Sequence, residues 1–74
     1  MRIEYEFLIY CIEEYKAYHK LTGREVIELF EKYNINAYVL RNYASIHTTG
    51  TLYNIQELDD YIKSRESGSD KAHQ

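Results

Sequence analysis

The chain has 74 residues, a length that supports one hydrophobic core and excludes a second independent domain. Nine Lys and Arg against twelve Asp and Glu give a formal net charge of -3, which repels a phosphate backbone on average and argues against nucleic-acid binding. Cys11 is the one cysteine, so no intrachain disulfide can form, and a zinc site would have to combine it with three scattered histidines; neither metal nor cofactor is expected. A lone cysteine also fits a reducing cytoplasm. The longest apolar run, residues 7–12, is too short for a signal-peptide core or a membrane span, so a soluble protein is expected. Nine tyrosines, with no tryptophan and no proline, are the unusual feature, because a large ring with a polar tip suits shallow cores and interfaces alike.

Residues 3–20 contain neither glycine nor proline, and Ile3, Phe7, Leu8, Cys11, Ile12, Tyr15 and Tyr18 recur at three- and four-residue steps, which predicts a long amphipathic helix. Glu4 and Glu6 near its start and Lys16, His19 and Lys20 near its end suit the helix dipole. Thr22-Gly23-Arg24-Glu25 reads as a capping box that starts a second helix, with Val26, Ile27, Leu29, Phe30 and Tyr33 as its apolar stripe. Asn34 and Asn36 flank a short break, and Asn36 is expected to cap a third helix over residues 37–47. That helix carries Tyr38, Val39, Leu40, Tyr43, Ala44, Ile46 and His47 and ends near Thr48-Thr49-Gly50, where Gly50 can turn left-handed.

Residues 51–55 alternate weakly, with Tyr53 and Ile55 on one side, and are expected to be an extended link or one short strand. Asn54, with Glu57 three residues on, repeats the capping pattern. A short fourth helix is expected to follow, with Leu58, Tyr61 and Ile62 on one face and Asp59 and Asp60 in its exposed first turn. Residues 64–74 hold almost nothing to bury and read as a disordered polar tail. The expected architecture is a mostly α, compact bundle of about four helices over residues 1–63, with that tail behind it.

No nucleophile with a base, no carboxylate pair and no metal cluster is evident, so an enzyme is not expected. Cys11 lies inside the apolar run, where a buried, unreactive thiol is the natural reading. Glu13 and Glu14 are adjacent and so point about 100° apart on a helix, as separate solvated charges. His47, Thr48 and Thr49 form the densest polar cluster; a helix-terminal histidine and threonines bonding freed carbonyls account for it without a ligand. His19, at the end of the first helix, reads the same way. Ile9 and Tyr10 carry apolar surface beyond the first helix's stripe. Either the other helices wrap around that helix, or its outer side meets another protein, with a second copy as one candidate. Tyr5, Ile9, Tyr10, Arg41, His47, Thr48 and Thr49 are the candidate interaction residues. The alternative from a different class is a helix-turn-helix-like DNA-binding regulator, against which stands a reading helix whose one full positive charge is Arg41.

Phe7-Leu8-Ile9-Tyr10-Cys11-Ile12-Glu13, Leu21-Thr22-Gly23-Arg24-Glu25-Val26, the segment from Tyr43 through His47-Thr48-Thr49-Gly50, and Tyr53-Asn54-Ile55 leading into Leu58-Asp59-Asp60-Tyr61-Ile62 come in a distinctive order. Over residues 3–63 this order resembles a family of small bacterial proteins known as domain of unknown function 3791 (DUF3791). The specific combination is a Gly-x-Glu-Val helix start with a His-Thr turn. The resemblance implies no activity. It implies a context beside an ADP-ribosyltransferase-like protein, and hence an antitoxin-like or accessory subunit. Asn54 stands where relatives are expected to be more apolar and strand-like.

Overall fold

The computed structural model describes the backbone of residues 2–72 and the side chains of residues 2–66. Among these residues the elements are α1 Ile3–His19, α2 Gly23–Lys32, α3 Ile35–Arg41, α4 Tyr43–Ile46 and α5 Thr51–Ala72, without a strand. The mostly helical bundle is as expected from the periodicity, but the third expected helix is two helices and the last begins earlier and runs further.

α1 carries Glu4 and Glu6 in its first turn and Lys16 and His19 in its last. It stops at Lys20, whose backbone is left-handed with φ 56°. The Lys20 N–H donates to the Ala17 carbonyl, and the Leu21 N–H donates to the Lys16 carbonyl at 3.0 Å, the paired bonds of a Schellman turn. This turn delivers Leu21 against the core and sets Thr22 to open α2. The capping box is present in both directions. The Thr22 N–H donates to Glu25 Oε1 at 2.8 Å, and the Glu25 N–H donates to Thr22 Oγ1 at 3.1 Å. Val26 and Phe30, one turn apart, face the core, and Ile27, expected on the same stripe, is left exposed.

The chain turns from α2 into α3 at Asn34, left-handed with φ 57°, a conformation asparagine tolerates better than most residues. Its N–H donates to the Glu31 carbonyl at 3.2 Å. Because Asn34 makes the turn, α3 begins at Ile35, and Asn36 is not its cap. Asn36 lies within α3, and its Oδ1 is buried without a hydrogen-bond partner. The expected helix over residues 37–47 is divided at Asn42. There the side-chain Nδ2 donates to the Tyr38 carbonyl at 2.8 Å and Ser45 Oγ donates to the Asn42 carbonyl at 3.0 Å, each a second donor to a carbonyl that the backbone N–H four residues on also reaches.

Gly50 does not take a positive φ, and α5 starts at the next residue, with the Asn54 N–H donating to the Gly50 carbonyl at 2.9 Å. Residues 51–55 are therefore the first turn of a helix rather than a strand. Ile55, Leu58 and Ile62, all buried at three- and four-residue steps, show the period that decides this. Asn54 is not a cap either. It is buried inside α5, its Nδ2 3.4 Å from the Thr49 carbonyl that accepts from it, and its Oδ1 in contact with the Thr49 hydroxyl. That hydroxyl also lies 2.8 Å from the Ile46 carbonyl, and its single proton serves one acceptor at a time. Where a polar tail from residue 64 is expected, the backbone stays helical as far as Ala72, and Tyr33 donates its hydroxyl to Glu66 Oε2 at 2.9 Å. His73 and Gln74 lie outside the described residues.

Phe30, Ile35, Leu58, Val26 and Val39 form the fully buried centre. Leu8, Cys11 and Tyr15 from α1, Ile46 from α4 and Ile55 and Ile62 from α5 complete it. Burying an aliphatic or phenylalanine side chain of this kind stabilises by about 1.5–3 kcal/mol, so these positions hold the helices together. α1 packs against α2, α3 and α5 and is the central helix. Tyr10 meets Thr51, and Tyr15 meets Asp59, so positions rise together along α1 and α5, and the two helices run parallel. Lys20→Gly is expected to stabilise the fold by about 0.5–1 kcal/mol, after allowing for the greater unfolded-state freedom of glycine. A thermal melt should show a rise of a few degrees, and an unchanged or lower midpoint would contradict the strain assigned to Lys20.

Candidate functional site at the seam of α1 and α5

Tyr15 and His19 lie one turn apart on α1 and point at the same residue of α5. The Tyr15 hydroxyl donates to Asp59 Oδ1 at 2.6 Å, and His19 Nε2 lies 3.0 Å from Asp59 Oδ2. The two rings are 4.4 Å apart, and the far side of Tyr15 meets Phe30 edge-on at 5.4 Å. Asp59 was expected in an exposed first turn. Because α5 begins three residues earlier than the expected cap, Asp59 falls instead mid-helix, facing α1, while Asp60 keeps the exposed position. An imidazole, a carboxylate and a phenol in contact resemble a proton-transfer set. Burial pushes the Tyr15 hydroxyl well above its ordinary value, and the bond to the Asp59 carboxylate pushes it further the same way. The phenol is thus held as a donor and not activated as a nucleophile, and the cluster works as a polar clasp between two parallel helices.

Beside the clasp, at the same level of α1 and N-terminal to Asp59 on α5, the seam opens into a groove of about 370 Å³ lined by Glu14, Ala17, Tyr18, Thr51, Leu52 and Ile55. Leu52 and Tyr18 are 53% and 54% exposed. Beneath it, a small void is walled by Tyr10, Cys11, Glu14, Asn54 and Leu58. Cys11 is buried as expected; desolvation, with the nearby Glu14 carboxylate adding to it, pushes its thiol up to about 11. A thiolate is what reacts, so this cysteine is a packing residue at neutral pH.

The expected interaction residues fall into separate places. Tyr10 closes the seam by bonding its hydroxyl to Thr51, and its ring stacks on Phe7 at 5.9 Å. Phe7 meets Tyr43 edge-on at 5.5 Å, and Tyr43 stacks on His47 at 4.3 Å, so an aromatic row joins Tyr10 on α1 to His47 beyond α4. His47 Nδ1 lies 2.7 Å from the Tyr43 carbonyl, and Thr49 reaches the Ile46 carbonyl; both occupy backbone groups at the helix end, while Thr48 is exposed. Ile9 is 49% exposed on the outer side of α1. Tyr5 is exposed there too, beside Leu40, Arg2 and Glu4 in a shallow surface hollow. Arg41 ends α3, exposed, and no side-chain hydrogen bond or ion pair joins it to the others among the described residues.

The residues that sequence reasoning missed are Glu14, Ala17, Leu52 and Asp59. For Leu52 and Asp59 the signal was the step pattern Leu52, Ile55, Asp59, Ile62, which continues one helical face backward to residue 52, past the expected cap; Glu14 and Ala17 had none. As to DNA recognition, the helix that would read a groove is divided into α3 and α4, with Arg41 as its one Lys or Arg. Among the described residues no group of His, Cys, Asp and Glu is placed to hold a metal ion, and no helix is long and apolar enough to cross a membrane.

The family model described as "Protein of unknown function (DUF3791)" matches residues 6–65, and the chain belongs to that family. No curated protein and no solved structure matches it.

The clasp makes stability depend on alkaline pH. The Tyr15 hydroxyl has a folded-state pKa raised above its ordinary 10.0, so its contribution is complete below that value and declines as the pH climbs beyond it, where the unfolded chain ionises first. Urea unfolding across this range should show wild type losing stability faster than Tyr15→Phe. Parallel pH profiles would remove the clasp from the ionisation behaviour.

Proposed function

We propose that this member of the DUF3791 family is a non-enzymatic protein-interaction module. In its sharpest form it is an antitoxin-like or accessory partner of an ADP-ribosyltransferase-like protein. The observation that carries the reading is the surface of α1. This helix fills the centre of the bundle on one side and still leaves Ile3, Tyr5 and Ile9 exposed, with part of the Tyr10 ring exposed where it closes the seam to α5. Large exposed apolar and tyrosine side chains on one rigid helix have the composition of an interface, since such side chains bury much area and lose little conformational freedom. The acidic balance supports a partner with a basic face, for which long-range attraction speeds encounter. The ADP-ribosyltransferase-like identity comes from the resemblance and from no residue of the site. A second copy meeting the same face is the homodimeric form of the reading, and a bacterial cytoplasm is the compartment assigned with it.

Co-expression with the ADP-ribosyltransferase-like protein, followed by size-exclusion chromatography at micromolar concentration, tests this. A joint peak is expected, and it should be lost with Ile9→Asp and Tyr5→Asp while circular dichroism shows the helices retained. Persistent separate elution of the wild-type chain would contradict the partnership.

A further inference from the structure

We infer that the α1–α5 groove is the seat of a basic, amphipathic helical segment of a partner protein, anchored by an aliphatic side chain beside Leu52 and Tyr18 and by a Lys or Arg paired with Glu14. The inference rests on the interaction reading above and adds to it a place and a chemistry. Five of the six lining residues, Ala17, Tyr18, Thr51, Leu52 and Ile55, offer carbon surface and the hydroxyls of Tyr18 and Thr51, and the sixth is a carboxylate. Glu14 is half-buried there, and among the described residues it has neither an ion pair nor a side-chain hydrogen bond. The contrast with its neighbour is direct. Glu13 is more exposed and pairs with Lys16 at 3.2 Å.

A half-buried carboxylate in an apolar groove is poorly solvated on its protein side and unpaired on its open side. A partner that brings a cation relieves this, and one that brings only apolar surface makes it worse by sealing the charge from water. The same consideration decides against a second copy as occupant. A two-fold contact groove to groove would bring two Glu14 carboxylates into one apolar interface whose lining holds no cation. It decides against a phosphate-bearing partner as well. The small Ala17 side chain stands between Glu14 and Tyr18 on the α1 wall, which leaves room for a helical rod with apolar side chains at helical spacing.

The probe is a short leucine and lysine peptide with leucines at i, i+3, i+4 and i+7, compared with a leucine and glutamate peptide of the same apolar pattern. Each is titrated into the full chain and followed by backbone amide shifts. The lysine peptide should move amides of residues 10–18 and 51–55. Its affinity should fall about five- to tenfold in Glu14→Gln, fall further in Leu52→Asp, and hold in Glu13→Gln. Equal binding of the glutamate peptide, shifts spread over the acidic surface, or an unchanged affinity in Glu14→Gln would overturn the assignment. So would concentration-dependent dimerisation of the wild-type chain that Leu52→Asp abolishes, since that places a second copy in the groove. The ADP-ribosyltransferase-like protein separates the two proposals. A joint peak that survives both Glu14→Gln and Leu52→Asp overturns the groove and keeps the partnership, whereas separate elution of wild type overturns the partnership.

Discussion

The Asp59 carboxylate, reached by Tyr15 and His19 from a helix some forty residues away in sequence, is the constraint on which the surface of this small bundle depends. Two parallel helices have no short loop to hold them side by side, and their pairing must come from side chains. Apolar contact through Leu8, Cys11, Ile55 and Leu58 supplies most of the favourable burial, but it is non-directional and would tolerate sliding. A hydrogen bond to a carboxylate is short and geometrically selective, so it sets the level at which α5 stands against α1. Once that level is set, Leu52 and Thr51 stand opposite Tyr18, Ala17 and Glu14, and the groove exists as a consequence.

The tyrosine excess has the same physical logic. Six of the nine reach across to another helix. Tyr10 and Tyr15 join α1 to α5, Tyr33 at the end of α2 bonds Glu66, Tyr38 stacks on Tyr61 at 4.1 Å, and Tyr43 links to α1 through Phe7. A ring half-buried between helices contributes area where a chain of this length has little core to spare, and the hydroxyls of Tyr10, Tyr15 and Tyr33 find partners on other helices. Tyr5, Tyr18 and Tyr53 are exposed and make no such bridge, and with the exposed part of Tyr10 they are left for contacts beyond the chain.

How much of this was legible in the sequence follows from the range of each interaction. α1 and the capping box of α2 rest on residues within one or two turns of each other, and the pattern announces them. The Lys20 turn, the break at Asn42 and the early start of α5 were not legible for the same local reason in reverse. Asparagine competes equally well as a cap, a turn or a buried link, and which role Asn34, Asn36, Asn42 or Asn54 takes is settled by packing from elsewhere in the chain. Five residues of weak alternation at 51–55 could not outweigh a helical face that becomes visible only when Ile55, Leu58 and Ile62 are read together. The clasp joins residues 44 apart, so no local pattern reports it. Tyr10 and Ile9 stood out as surplus apolar surface; Glu14 did not, because a lone glutamate on a helix is ordinary until its surroundings are known.

Membership of a family without an assigned biochemistry leaves the surface as the place where function is to be sought, and the seam is the feature that gives that surface a defined shape. The most direct measurement is a double-mutant cycle in urea unfolding with Tyr15→Phe, Asp59→Ala and the pair. If the clasp sets the seam, the two substitutions are coupled by about 1–2 kcal/mol, the double variant being less unstable than the sum of the singles. Additivity within about 0.5 kcal/mol would show that the Tyr15–Asp59 bond does not set the seam and would contradict the central role given to Asp59.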